Sequence, residues 1–295
     1  MMNIPLKAEA LINLGVDYSK RNCNYDAIEA FRQALSINPE NANAWYNLGD
    51  TYRKLKRYDD ALEAYRQAVS IDPENYHAWY YLGDTYSELE RYNDAIEAYR
   101  QVALRNPDDA VIWEIIGNLY EKLERYDDAI EAYRQKLSID PENFSTWMAI
   151  GDMYRKLERY DDAIEAYRQV VRVYPEDVWG TTARAWYNLG ETYSELKRSD
   201  EAIEAFRQVL RIKPEDASAW YNLGDTCRKF ERYDEAIEAF RQELSINPKD
   251  AFALYNIGDT YALSGDRSAA MDVVRELQRL DPKLADKLFN LIVPR

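Results

Sequence analysis

Apolar residues recur along the chain at helical spacing, in paired runs separated by a short polar break. In one stretch Trp45, Leu48, Gly49, Tyr52 and Leu55 advance by steps of three and four, and Tyr58, Ala61, Ala64, Tyr65 and Ala68 do so again. Two amphipathic helices are predicted, the second ended by Pro73, which lacks the amide needed to continue one. The phrase at Trp45, Leu48, Gly49 and Tyr52 returns at Trp79, Leu82, Gly83 and Tyr86, a step of 34 residues. Aligned on its Gly, it gives eight repeats that begin at Ala8, Ala42, Tyr76, Ala110, Phe144, Ala183, Ala217 and Ala251. An ordinary chain of 295 residues would form about two domains of roughly 150 residues, but an array of repeats grows its core along one axis. The expected organisation is therefore a lead-in at 1–7, five repeats over 8–177, an insertion at 178–182, three repeats over 183–284, and the end of a capping helix with a tail at 285–295. The insertion, with Trp179 and Gly180, reads either as a surface loop or as a joint that shifts the stacking of the last three repeats.

Within a repeat, most residues have a packing reason. Paired acids such as Asp59 and Asp60 fall where a helix start favours negative charge. Gly49 and Ala61 are small enough to let neighbouring backbones approach, with Trp45 and Tyr52 filling the space beside them. Glu63 with Arg66, repeated as Glu97 with Arg100 and Glu165 with Arg168, reads as weak pairs on a solvated face.

The recurring Trp45, Leu48, Gly49, Tyr52, Ala61, Tyr65, Ala68 and Pro73 resemble the pattern of the tetratricopeptide repeat family, over residues 8 to about 284. Departures are Leu11 and Leu254 for the Trp, Cys227 for the Tyr, and Lys136 and Glu243 where a small residue is usual. Cys227 is expected to act as a smaller apolar filler, and Lys136 and Glu243 to snorkel outward or mark a loosened contact. The resemblance implies an all-α fold: a right-handed α-solenoid superhelix of antiparallel helix pairs, whose first helices line a concave groove for peptides or partner helices. It brings no catalytic residue set. The carboxylate clamp of the family's co-chaperones needs a Lys where this chain has Ile12, Tyr46, Tyr80 or Tyr187, which disfavours a chaperone-tail adaptor.

Residues of the first helices that are not core positions define an inner stripe, in the second repeat Asn43, Tyr46, Asp50 and Arg53 beside Asn47 and Lys54. Tyr46 recurs as Tyr80, Tyr187, Tyr221 and Tyr255, and Asp50 as Asp84, Asp152, Asp225 and Asp259, with Glu191 a close variant. Such a ladder offers aromatic area with polar tips and carboxylates for a basic or amide-bearing ligand. Equally, the acids can pair with Arg53 or Lys54 on their own helix, and the tyrosines can pack on the adjacent repeat. Asn47 recurs as Asn13, Asn188, Asn222 and Asn256, and a side-chain amide both donates and accepts, as an extended peptide backbone requires. The fourth and fifth repeats diverge: Glu114 and Met148 replace the Tyr, Ile115 and Ala149 the Asn, and Asn118 the Asp. With Tyr80 and Tyr81 they suggest an apolar centre, from Tyr80 to Met148, between polar ends, the centre accepting an apolar anchor and the last three repeats holding extended backbone.

Charge and chemistry narrow the reading. With 38 Lys and Arg against 53 Asp and Glu, the formal charge of -15 works against nucleic acid and anionic membranes and suits a basic or neutral polypeptide partner. No apolar run reaches the ~18 residues of a membrane span, and the opening MMNIPLKAEA lacks the regions of a signal peptide, so a soluble, cytoplasmic protein is expected, with Cys23 and Cys227 as free thiols. His77 is the single histidine, no phosphate-binding Gly-rich loop occurs, and the paired acids are explained by helix starts. No enzyme activity, cofactor or metal site is expected. From Lys283 to Arg295, Leu284, Leu288 and Leu291 form a stripe with Phe289 and Ile292 beside it. That helix is expected to cap the last repeat, the alternative being homo-oligomer formation by docking on another chain. The functional expectation is a protein-protein interaction scaffold; the alternatives are a self-assembling array and a repeat protein without a dedicated ligand.

Overall fold

The computed structural model describes residues 4–176 and 180–293, and every described element is helical. Val178 and Trp179 of the insertion, and with them the notion of Trp179 as an anchor, lie outside the described residues. Contacts divide the chain into two compact bodies, Met1–Pro141 and Glu142–Arg295. The first holds α1 (Ile4–Lys20), α2 (Asn24–Ile37), α3 (Ala42–Lys54), α4 (Tyr58–Ile71), α5 (Tyr76–Glu88), α6 (Tyr92–Arg105), α7 (Ala110–Lys122) and α8 (Tyr126–Ile139). The second holds α9 (Phe144–Lys156), α10 (Tyr160–Val173), α11 (Thr181–Glu195), α12 (Ser199–Ile212), α13 (Ala217–Lys229), α14 (Tyr233–Ile246), α15 (Ala251–Ser264), α16 (Arg267–Leu280) and α17 (Pro282–Ile292). In each body the odd-numbered helix packs on the even-numbered helix that follows, and that helix packs on the next pair, so each body is a solenoid of tandem helix pairs. The described part of the insertion, Gly180 to Thr182, supplies a left-handed N-cap at φ 74° and the first two residues of α11.

Local chemistry sets the helix ends. Asn41, Asn75, Asn143 and Asp216 each accept a backbone N–H of the first turn that follows, and the Asp59 and Asp60 pair lies in the first turn of α4. The polar break inside a repeat is a left-handed residue, Lys56 at φ 57° in the second and Glu90 at 56° in the third, followed by an Arg whose amide bonds back to the repeat's Tyr.

Side chains depart from the expected packing in three places. What fills the space at Gly49 is the outer-helix Tyr65, whose ring lies where a Cβ would meet it at 2.8 Å. Trp45 is half-buried, and its indole N–H donates to the carbonyl of Pro39 at 2.8 Å, as Trp79 does to Pro73 and Trp220 to Pro214. Nor do Glu63 and Arg66 pair. Glu63 accepts from Gln67 one turn on at 3.1 Å, which frees Arg66 to donate to the Tyr86 hydroxyl of the next repeat at 2.8 Å. At the C-terminus the buried stripe of α17 is Ala285, Leu288 and Ile292, with Leu284 partly covered and Leu291 exposed. Steps of three and four from Leu288 reach either Leu291 or Ile292, and packing on α15 and α16 selects the latter.

Candidate functional site

The inner stripe of the first body gathers around Arg53. Its guanidinium bonds Asp50 at 3.2 Å on its own helix and Asp84 at 3.4 Å on α5, and lies 4.7 Å from the Tyr81 ring centre, a cation–π contact. Lys54 adds a second contact to Asp50 at 2.9 Å. Around it the rings of Tyr46 and Tyr81 lie 6.1 Å apart, Tyr80 meets Tyr81 edge-on at 5.4 Å, and His77 reaches Tyr46 at 6.5 Å. Burial, aided by Tyr81 and Asp50, pushes the Tyr46 phenol up to about 12, and burial likewise raises the Asp84 carboxyl against the pull of Arg53. Two members come from the outer helices and escaped sequence reasoning: Tyr65 stacks on Tyr81 at 6.3 Å, and Tyr99 meets Tyr80 at 5.7 Å. Their periodic position marks them as core, and only the length of a tyrosine carries them through to the inner face. The buried Tyr65 hydroxyl faces the Arg53 guanidinium, whose charge opposes the rise that burial imposes on the phenol, although the pair falls short of a well-formed hydrogen bond.

Other candidates in this body are placed apart from the cluster. Asn47 spends its amide on Asn43 of its own helix, at 2.7 Å to the carbonyl and 2.8 Å to the side chain. Ile115 is half-buried, and the exposed Asn118 accepts from the Tyr133 hydroxyl at 2.7 Å. Beside them the buried Lys136 reaches Glu114 at 2.9 Å, so the ion pair occupies the place that a Tyr and a small residue share elsewhere.

In the second body the same stripe is more completely self-paired. Arg228 bridges Asp225 at 2.7 Å and Asp259 at 2.6 Å, repeating the role of Arg53, and Arg155 holds Glu191 at 2.8 Å. Burial opposes the charge of Asp225, but hydrogen bonds from Lys229 and Arg228 hold its carboxyl below the usual range. Asn188 is buried and donates to Asp152 at 3.2 Å, and Asn222 donates to the Tyr187 hydroxyl at 2.5 Å. These amides, read from the sequence as contacts for a ligand backbone, link consecutive repeats. Tyr221 stands 40 % exposed, Asn256 is half-buried, and Tyr255 lies under Lys287 of α17 at 4.9 Å. Met148 is only 5 % exposed, which corrects its expected place on an apolar landing surface; an unbranched thioether has no polar tip to keep it at the water boundary.

Glu243 adds a buried acid on α14. It is 8 % exposed, its Oε2 lacks a partner, and burial together with Asp250 pushes its carboxyl up to about 7. The unfolded carboxyl ionises near 4.5, so stability is lost as pH rises from about 4.5 to about 7 and is constant above. Equilibrium denaturation should show Glu243→Gln gaining about 2–3 kcal/mol over the native chain at pH 8 relative to pH 4. Equal pH dependence of the two chains would refute this placement of the charge.

Among the described residues no group of three His, Cys, Asp or Glu could hold a metal ion, and no helix is long and apolar enough to cross a membrane. The family model described as the C-terminal domain of cilia and flagella-associated protein 70 matches residues 105–288, and tetratricopeptide repeat models match 15–55, 42–75 and 64–97. No curated protein matches the chain. Among solved structures, that of Naa15/Naa10 bound to HypK-THB is similar at 17% identity with a TM-score of 0.73, over 96% of this chain and 44% of that one. MamA is similar at 24% identity and a TM-score of 0.50, over 58% and 93% of the two chains. YrrB, described as a repeat protein of this type with an unusual peptide-binding site, is 22% identical with a TM-score of 0.52, over 66% and 99%. At such identities the likeness is one of fold.

Proposed function

The chain belongs to the tetratricopeptide repeat family, and from that premise we propose that it is a non-enzymatic interaction scaffold that binds a peptide, tail or helix on the inner faces of its first helices. The observation that carries this reading is the half-exposed cluster of Tyr46, Tyr80 and Tyr81 around Arg53 and its acids. Aromatic rings with polar tips supply contact area at low entropic cost and are preferred anchors at interfaces. The chain's charge of -15 favours a basic or neutral ligand, in a soluble setting that we take to be the cytoplasm. The unusual peptide-binding site of YrrB is consistent with this use of the fold.

Because Met148 is buried, the informative substitutions lie in the first body. Peptides selected from a random library on the whole protein are expected to be basic with an aromatic or aliphatic anchor. Tyr81→Ala with Ile115→Asp should weaken them at least tenfold, the scale of one lost anchor. Selection of no peptide, or undiminished binding by a folded double variant, would remove the inner face from the proposal. A second reading, self-association through the C-terminal helix, is favoured by the exposed Phe289, Leu291 and Val293.

A further inference from the structure

In the repeat motif the last aromatic of the first helix is a Tyr at positions 52, 86, 120, 154, 193 and 261, and this phenol has its own binding frame. From one side comes an arginine of the preceding outer helix: Arg66 donates to the Tyr86 hydroxyl at 2.8 Å, Arg100 to Tyr120 at 2.7 Å and Arg241 to Tyr261 at 2.7 Å. From the other comes the arginine that opens the repeat's own outer helix, lying over the ring at 4.7 Å for Arg57 on Tyr52 and at 4.9 Å for Arg198 on Tyr193. The seventh repeat keeps this frame and lacks the phenol. Cys227 stands in its place, fully buried, while Arg207 and Arg232 remain and both turn to Glu235, at 2.7 and 2.6 Å.

Beside Cys227 lies an open cavity of about 380 Å³ between α12, α13 and α14, several times the volume of the missing phenol. Its walls are largely apolar, from Leu210, Trp220, Leu223 and Cys227, and Arg207 and Glu235 stand at its polar edge. Both of these are partly exposed, with 46% and 39% of their side-chain surface open, so the cavity can be reached from solvent. Its size falls in the range of small-molecule sites, which combine apolar walls with a few convergent polar groups. The arginine that donates to the phenol in sister repeats, here Arg207, lines the cavity, and Arg232 stands outside its walls paired with Glu235.

We propose that this cavity is a binding site for a para-substituted phenol. The ring lies against Leu210, Leu223 and the Cys227 thiol, and the hydroxyl accepts from Arg207 as Tyr86 and Tyr120 accept from theirs. Arg207 gives up its contact with Glu235, which keeps Arg232 as its counter-ion. With the hydroxyl at the open, polar edge, the para substituent points inward to the buried Cys227, where the Cβ of the repeat's own tyrosine would lie, so the site takes a small free phenol and leaves no room for the main chain of a presented tyrosine. This site lies between α13 and the outer helices α12 and α14, uses none of the inner-stripe residues and does not depend on the inner-face reading.

Titration calorimetry of the whole protein with 4-methylphenol tests the assignment. One molecule should bind at millimolar concentration or below, and Cys227→Tyr, which restores the repeat's own phenol, should abolish binding in a chain that melts no lower than the native one. Arg207→Gln, a change at an exposed side chain, should weaken 4-methylphenol about tenfold, and toluene should bind the native chain about tenfold more weakly than 4-methylphenol, the scale of one hydrogen bond to a charged donor. No binding of 4-methylphenol, equal binding by Cys227→Tyr, or equal binding of toluene overturns the proposal. N-acetyltyrosinamide, whose para substituent carries a main chain, should not compete with 4-methylphenol, and competition would overturn the assigned orientation.

Discussion

Alanine at Tyr167 is expected to cost the fifth repeat about 4 kcal/mol, the loss that follows when a fully buried aromatic leaves a core. Tyr167 has no exposed surface, and its ring covers Gly151 so closely that any Cβ there would collide with it. Its hydroxyl, kept protonated by burial, donates to Asp152 at 2.6 Å. The ring and the hydroxyl can be separated, since Phe31, Phe206 and Phe240 serve the same position in other repeats. Tyr167→Phe should therefore lose only about 1–2 kcal/mol, the scale of a hydrogen bond to a charged acceptor. Repeat arrays need not unfold in one step, so hydrogen exchange of α9 and α10 is the direct reading, with urea denaturation beside it. Equal losses for the two variants would mean that the bond to Asp152, not the ring on Gly151, holds the pair together.

That contrast also shows what the sequence could reveal. Spacing alone placed the helix pairs: α3, α5, α7, α9, α13 and α15 open at Ala42, Tyr76, Ala110, Phe144, Ala217 and Ala251, where the aligned repeats begin. Periodicity specifies the face a residue occupies, and packing inside a repeat follows from that. It does not specify which atom of the next repeat a long side chain reaches. Arg66 was legible as an outer-face residue, yet its partner Tyr86 lies 20 positions on, across a contact set by stacking. The same blindness affected part of the inner stripe. Asp50 and Asp225 pair with Arg53 and Arg228 three residues on along their own helices, a pairing the spacing allowed, while the contacts of Asn188 with Asp152 and of Asn222 with Tyr187 depend on the stacking of consecutive first helices. Cys227 beside its cavity is a place where one repeat departs from a frame that its neighbours keep.

Ending the chain after Pro282 should unfold more than the 11 residues of α17. The eighth repeat has Val274 where Tyr or Phe covers the Gly in earlier repeats, and Val273 together with Leu288 of α17 closes over Gly258 instead. Leu288 and Ile292 are both buried, and hydrophobic burial of such side chains stabilises by about 1.5–3 kcal/mol each, so removal of α17 forfeits about 3–6 kcal/mol. It also strips Lys287 from Tyr255 and opens the face of α15 and α16 formed by Ile257, Val273 and Leu277. Helices of 14 residues without a covered face are marginal, so α15 and α16 should lose exchange protection together, and far-UV circular dichroism should fall by several times the contribution of α17. A loss confined to α17 with an unchanged melting temperature would show that the last pair is self-sufficient. Light scattering distinguishes capping from assembly, because Phe289 and Leu291 remain exposed on the two flanks of the helix that caps. A full-length chain that is larger than a monomer, and a Phe289→Asp with Leu291→Asp variant that is monomeric with its melting temperature intact, would assign the exposed flanks of α17 to self-association; a monomer throughout would leave it the cap alone.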